Sequence, residues 1–359
     1  MKYDIKITKS ENLKAKPIDE SKLGFGKLFT DHMFLMDYSS KTGWTNPRIV
    51  PFGDIPTHPA STVFHYGAEV FEGLKAYRAV DGTIRLFRPE ENIKRLNDSA
   101  ERLCLPTIDV EAGVDIITKL VELEKDWVPH QEGTSLYIRP FMYGNDAFLG
   151  VHAVDNAVFA VICSPVGAYY AEGLKPVKIA IESQDVRAVR GGTGYAKCGG
   201  NYAASLRAGK RAEEKGYSQV LWLDGVERKY IEEVGAMNVV FKINGKIITP
   251  KLNGSILPGI TRKSCLEVLK DWGYEVEERL ISVDELFDAA RTGALEEAWG
   301  TGTAAVVSPI GKLSYNGEEY VVSNGEIGEL TQKLYDELTG IQWGKVKENK
   351  GWSKIICNA

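Results

Sequence analysis

The chain has 359 residues, 43% of them hydrophobic and 26% charged, with a formal net charge of −5. This balance is ordinary for a globular protein and long enough for a large core split into two domains. It excludes a broad basic face for nucleic acid, and no apolar run is long enough to span a bilayer. Five scattered cysteines (Cys104, Cys163, Cys198, Cys265, Cys357) contain no CxxC pair. They predict neither a disulfide framework nor a zinc site, and a reducing cytoplasm is the natural setting. The opening MKYDIKITKSENLKAK lacks the apolar core of a signal peptide.

Residues 1–22 read as a polar, extended arm, and Phe29–Met36 as a strand. The recurrent prolines from Pro47 to Pro59 predict a loop. Asp81-Gly82 offers a hairpin turn into Ile84–Phe87. Pro89 opens a helix with Ile93, Leu96, Ala100 and Leu103 at helical spacing and Arg95 beside that stripe. Pro106 ends it, and Asp109 caps a second helix anchored by Val114, Ile117, Val121 and Leu123. Leu136–Arg139 and Ala157–Cys163 read as strands. Mixed strands, hairpins and helices predict α+β organisation for this half.

Residues 166–176 read as the interdomain loop. Beyond it, Val177-Ile179-Ile181 alternates as a strand, a helix runs from about Asn201 to Gly216, and Gln219–Leu223 is a short buried strand. Val239–Ile243, Asn244-Gly245 and Lys246–Thr249 form the clearest hairpin. Thr261–Trp272 is helical and closed by Gly273; Ser282–Glu285 is a capping box for a helix that Gly293 ends. A last amphipathic helix carries Ile327, Leu330, Leu334 and Leu338.

The chemistry gathers around Lys197, which lies between Gly191-Gly192 and Gly199-Gly200. Glycines let backbone approach a ligand closely. A buried lysine gives up its proton easily and becomes a nucleophile for carbonyls, including the aldehyde of pyridoxal phosphate. The segment is no P-loop, since Ala196 precedes the lysine and Cys198 follows it. Gly300–Ala305 fits a loose dinucleotide fingerprint, but no regular βαβ units surround it. A pyridoxal phosphate site also needs an acid for the ring nitrogen, and Glu233 is a candidate. Leu257–Arg262 opens a helix whose N-terminus suits a phosphate, with the Thr261 hydroxyl. Thr301–Ala304 is a tight turn with further donors. Singly, each also fits a bland role: a solvated loop lysine, a strand-end carboxylate, a plain helix N-terminus.

As an ordered set they resemble the branched-chain amino-acid aminotransferases, the fold-type IV enzymes of aminotransferase class IV. The matching stretches are FGKLFTDHM, HYGAEVFEGLKAY, LFRPEENIKRL, SLYIRP, PVGAYY, YAKCGGNYAAS, QVLWLDG, EEVGAMN, ILPGITR and GTGTAA. The resemblance implies a small α/β domain over 1–165, the interdomain loop, and a larger cofactor-binding domain with a pseudo-barrel sheet over 177–359. It implies pyridoxal 5'-phosphate as cofactor and Lys197 as the Schiff-base lysine and proton shuttle. Tyr202 matches the partner of the cofactor O3′, Glu233 that of the ring nitrogen, and Arg187 a supporting arginine. Arg95, Ile260, Thr261 and Thr303, with Leu257 and Gly259 of the same helix turn, match the phosphate cup. Phe25, Tyr66, Phe71, Tyr137, Tyr169, Met237 and Ala304 match an apolar side-chain pocket. Thr303-Ala304 also matches the turn for the α-carboxylate.

Residues equivalent to Tyr66, Leu149 and Val151 cross from a partner subunit in the family, which implies a homodimer with shared sites. The implied reaction is ping-pong transfer of the amino group of leucine, isoleucine or valine to 2-oxoglutarate. Arg139 shares a strand face with Tyr137. It is the candidate for the γ-carboxylate of glutamate, or else a structural ion pair at a strand end. Two departures stand out: Ala305 and Ser308 occupy the positions of a redox-responsive CxxC, and Ala236 replaces a threonine. EEVGAMN and the aromatic set argue against D-amino-acid or (R)-amine aminotransferases and aminodeoxychorismate lyase. The missing P-loop argues against a nucleotide-binding module.

Overall fold

The computed structural model describes residues 3–167 and 174–358. The protein forms two compact units, Met1–Ala171 with Ala196–Gly199 and Gly340–Ala359, and Glu172–Tyr195 with Gly200–Thr339. The expected second domain ran unbroken from 177. Here the piece around Lys197 and the C-terminal stretch group with the first unit, because backbone hydrogen bonds and a strand pairing tie them there.

The first unit is built on one sheet. Its strands run in the order Lys6–Ile7, Gly43–Pro51, His32–Ser39, Asn156–Val166, Ser135–Gly144, Leu74–Arg78, Thr83–Phe87, Ser353–Asn358, with Glu69–Phe71 also pairing Ser135–Gly144. Alternation along Ser135–Gly144 sorts its two faces. Leu136, Ile138 and Met142 enter a core with Ile93, Leu96, Ala100, Val114, Ile117 and Val121 from the helices Pro89–Arg102 and Val110–Leu123. Tyr137, Arg139 and Phe141 take the other face. Asp109 caps the second helix as expected, accepting from the Ala112 N–H at 2.9 Å.

One reading of this unit is corrected. Pro47 lies inside the strand Gly43–Pro51, not in a loop. It sits where the register slips opposite Leu35–Asp37, beside Asn46 at φ 54°, and on its other side the strand pairs only at Arg48 and Ile49. A bulge on a nearly open edge needs no N–H from residue 47. The C-terminal strand Ser353–Asn358, which no sequence motif pointed to, pairs antiparallel with Thr83–Phe87.

The second unit closes a six-stranded barrel. Val177–Glu182, Gln219–Leu223, Ile231–Val234, Met237–Ile243, Leu295–Gly302 and Val306–Tyr315 pair in a ring, the last joining back to the first. Ile179, Leu221, Val239, Phe241, Ala298 and Leu313 belong to its apolar core. Asn244 (φ 49°) and Gly245 (φ 75°) make the tight hairpin that the dipeptide predicts. Gly300–Ala305 joins two antiparallel strands and no helix follows it, so the loose dinucleotide fingerprint is excluded.

Glu297, on a barrel strand and 6% exposed, caps the helix Glu329–Gln342. Its carboxylate accepts from the N–H groups of Leu330 (3.1 Å) and Thr331 (2.8 Å) and from the Thr331 hydroxyl (2.7 Å). The negative charge also meets the positive end of the helix. A Cβ on Gly328 would fall 2.0 Å from that carboxylate, which explains the glycine. Glu297→Ala is expected to cost about 2–3 kcal/mol of stability, the range for stripping several partners from a buried cap. Urea unfolding checks this; a loss under about 0.5 kcal/mol would place the stability of that helix elsewhere.

Candidate active site

In the first unit, Lys197 is fixed by its main chain rather than by its glycines. Its N–H donates to Ser99 Oγ at 2.9 Å, and its carbonyl accepts from the Phe71 N–H at 2.9 Å. Two residues on, the Gly199 N–H donates to the Glu69 carboxylate. A Cβ at Gly199 would fall 2.3 Å from Glu69 Oε1, so this glycine serves close approach; of the four flanking glycines only Gly191 has a positive φ, 83°. Ser99 follows Arg95 by one helical turn and donates to its carbonyl at 2.9 Å. The helix thus sets both the lysine and the arginine.

Arg95 is forked onto Glu72, which is fully buried: Nε to Oε1 at 2.7 Å, Nη2 to Oε2 at 3.0 Å. Asn92 and the Gly73 N–H complete that carboxylate, at 2.8 and 3.1 Å. Burial pushes the Lys197 amine below its ordinary pKa, and the Arg95 guanidinium pushes the same way; Glu72 opposes them. The Lys197 Nζ lies 4.8 Å from the centre of the Phe71 ring.

On the sheet face outside the core, the Arg139 guanidinium covers Phe71 (4.7 Å) and Tyr137 (5.3 Å), and donates to the Tyr137 hydroxyl at 3.1 Å. Its Nε is buried and has no hydrogen-bond partner. Phe25 meets Tyr137 edge-on at 4.9 Å. A Cβ at Gly73 would fall 2.0 Å from the Tyr137 hydroxyl, so the ring rests where only a glycine fits. Lys75 pairs with Tyr137 across the strands, and burial lowers its amine to about 8. Amine, guanidinium, phenol and aromatic walls therefore share one surface. Tyr66, Leu149 and Val151 stand outside this cluster, 45%, 67% and 85% exposed. Tyr169 lies outside the described residues.

In the second unit, Glu233 is buried, with a backbone donor on one oxygen and a guanidinium beside the other. Oε1 accepts from the Leu257 N–H at 2.8 Å, and Oε2 lies 3.2 Å from Arg187 Nε. Arg187 in turn donates to the carbonyls of Gly194 (3.2 Å) and Ser255. Asn238 links two of the sequence motifs, donating to the Leu257 carbonyl at 2.9 Å; a Cβ at Gly259 would fall 1.9 Å from its Oδ1. The helix Ile260–Asp271 begins at Gly259, which brings no capping side chain, and Thr261 stands in its first turn. Thr303 and Ala304 lie in the turn between the last two barrel strands. Beside them, Gly300 and Gly302 leave room for Met237, whose side chain would be 2.9 and 3.1 Å from an added Cβ. Tyr202 is partly buried in the first turn of the helix Gly199–Glu213.

Each unit carries groups of the kind that pyridoxal phosphate needs. In the first unit Lys197 is an amine with a lowered pKa; in the second, Glu233 is a carboxylate that receives a backbone N–H and faces a guanidinium, and Gly259 opens a helix of the kind that receives phosphate. Sequence reasoning missed Glu72, Ser99 and Asn238. All three lie within or near the matched motifs, but their roles are to hold other residues, which spacing does not disclose.

Comparison with known proteins agrees. The family model described as amino-transferase class IV matches residues 69–313. The chain is 56% identical over 356 residues to the branched-chain-amino-acid aminotransferase 2 of Bacillus subtilis (strain 168), covering 99% of this chain and 98% of that one. It is 55% identical over 357 residues to a probable branched-chain-amino-acid aminotransferase of Staphylococcus aureus (strain N315), covering 99% of each. Among solved structures, the branched-chain amino acid aminotransferase from Escherichia coli superposes with a TM-score of 0.73 at 26% identity, over 91% of this chain and 99% of that one. The T.th. branched-chain amino acid aminotransferase complexed with N-(5'-phosphopyridoxyl)-L-glutamate gives 0.73 at 27% identity, over 89% and 98%. The fold, the residues around Lys197 and these matches lead to one conclusion: the chain belongs to the class IV aminotransferase family.

Proposed function

We propose that the protein is a branched-chain amino-acid transaminase, moving the amino group of leucine, isoleucine or valine to 2-oxoglutarate in two reversible half-reactions. The observation that carries this is the surface around Phe71, where apolar rings, a guanidinium and the Lys197 amine lie together. Such a surface suits both an aliphatic side chain and a carboxylate. The relatives named above support the same donor class.

Pyridoxal phosphate, when bound, supplies the aldehyde that carries the amino group and a ring that takes up the electron pair released at Cα. The chain's own residues do the rest. Lys197 Nζ is the amine that would hold the cofactor and, when free, would serve as the base that takes a proton from the substrate Cα. A lowered pKa suits it to both tasks. Glu233 pairs with the ring nitrogen and Tyr202 with the ring hydroxyl. Arg95, Leu257, Gly259, Ile260, Thr261 and Thr303 hold the phosphate, and Arg187 backs Glu233. Thr303 and Ala304 receive the α-carboxylate, while Phe25, Phe71, Tyr137, Tyr169 and Met237 wall the side chain and exclude water.

The working form in this reading is a homodimer in the cytoplasm, with Tyr66, Leu149 and Val151 lent to the partner's pocket. Their exposure on an isolated chain supports that role. No helix among the described residues is long and apolar enough to cross a membrane. An amino-donor panel, read by the absorbance change of the bound cofactor, tests the function. Leucine, isoleucine and valine should each discharge it, and a response confined to D-amino acids or amines would overturn the reading.

The sequence also bears on oxidation. Ala305 and Ser308 cannot form a disulfide, and Cys198 is 3% exposed within the first unit's core. Mild peroxide is therefore expected to leave activity largely intact, since oxidation follows thiolate character and access. Rapid inactivation reversed by a thiol would contradict this, and Cys198→Ser would show whether that residue is responsible.

A further inference from the structure

Glu232 precedes Glu233 on the strand Ile231–Val234, and both side chains are buried. The two carboxyl groups are treated differently. Glu233 receives a backbone N–H and faces a guanidinium. Glu232 receives the Ser255 hydroxyl and, at 3.4 Å, the Asn253 amide on Oε1, while its Oε2 is buried with no hydrogen-bond partner. A carboxylate left with a bare, buried oxygen is expensive; a neutral acid with one unpaired carbonyl oxygen is far less so.

The protons around Ser255 point the same way. Its Oγ lies within hydrogen-bond reach of two acceptor oxygens, Glu232 Oε1 and Asn253 Oδ1, the second at 2.7 Å. Asn253 Oδ1 is fixed as the oxygen, because it also accepts the Ser255 N–H at 3.0 Å. One hydroxyl carries one proton and cannot serve both. A proton on Glu232 resolves the count: Glu232 donates to Ser255 Oγ, and Ser255 donates to Asn253. Burial pushes the Glu232 carboxyl up, with Asp224 adding; Ser255, Asn253 and the Arg187 charge pull it down without reversing the direction.

Ser255 also joins the two acids through Arg187, whose guanidinium donates to the Ser255 carbonyl and lies against Glu233. We propose that Glu232 is held as a neutral carboxylic acid, a positioning residue that fixes Ser255 and so leaves the Arg187 charge to Glu233 alone. Its consequence for the reaction rests on the reading that Glu233 pairs with the cofactor ring nitrogen. In that arrangement the Arg187 guanidinium faces Glu233 at 3.2 Å, and a negative charge at Glu232 would compete for the same guanidinium.

The test uses the purified holoenzyme and two readouts. Infrared spectra at neutral pH should show a deuterium-sensitive carbonyl stretch of a protonated carboxyl, absent in Glu232→Gln and displaced in Ser255→Ala. Titrating the cofactor absorbance should give the same midpoint in wild type and Glu232→Gln near neutrality, because glutamine imitates the neutral acid. Above it the two should part, the wild type alone drifting as Glu232 ionises. A missing band, a band that survives Glu232→Gln, or a midpoint that moves on that substitution would overturn the proposal. Glu233→Gln separates the parent reading: unaltered cofactor absorbance and turnover there would remove Glu233 from the ring nitrogen, while the Glu232 band would still stand.

Discussion

Lys197→Ala is expected to lower multiple-turnover transamination by more than about a thousandfold, because in the proposed mechanism one side chain is both nucleophile and proton carrier. The fold should survive. The two bonds that fix this position, to Ser99 Oγ and from the Phe71 N–H, use the main chain and are open to alanine. The variant should still take up pyridoxal phosphate through Arg95, Thr261 and Thr303. Borohydride reduction of the wild type followed by peptide mapping should place the pyridoxyl group on Lys197. The sharpest rival is Lys75, a buried amine whose pKa falls to about 8, across the strands from Tyr137. Label on Lys75, or on Lys210 or Lys263, would sink the assignment.

The elements that were legible in the sequence have local causes. Pro89, Asp109, the Ser282 capping box, Asn244-Gly245 and Gly273 each act within a few residues, and each appears where its chemistry places it. The barrel was legible only through resemblance, since Leu295–Gly302 and Val306–Tyr315 find their partners across long stretches of chain. The C-terminal strand Ser353–Asn358 was missed for the same reason: it is short, half exposed, and meaningful only beside Thr83–Phe87. Pro47 misled because proline forbids a donor, and the strand needs none there. In the site, the groups assigned to reaction or ligand, and Arg187 as a support, were assigned by motif, whereas Glu72 and Ser99 were not. Glu72 reads as one more acid in a mixed stretch until Arg95 folds onto it. Ser99 becomes informative only when its hydroxyl is seen under the Lys197 N–H.

The last expected result concerns how, in the proposed reaction, one pocket would accept both leucine and glutamate. An aliphatic side chain wants dry walls, and a γ-carboxylate wants a partner, since an unpaired buried charge is very costly. Arg139 meets both demands. Its guanidinium lies over Phe71 and Tyr137, 4.7 and 5.3 Å from the ring centres, yet its Nε is buried without a hydrogen-bond partner. Nearby, burial pushes the Glu69 carboxyl up, while its hydrogen bond from the Gly199 N–H and the Arg139 charge pull it down. A γ-carboxylate arriving there gains a charge-assisted fork. Arg139→Met keeps the apolar stem and removes the charge. It is expected to slow the glutamate and 2-oxoglutarate half-reaction by about 10–100-fold, the loss expected for a charge-assisted hydrogen bond of about 1.5–3 kcal/mol. The leucine half-reaction should change much less, because its side chain meets the rings and not the cation. Single-turnover rates for each amino acid, followed by cofactor absorbance, separate the two. Equal losses in both would make Arg139 a support for Phe71 and Tyr137, and the partner of the γ-carboxylate would have to be another group.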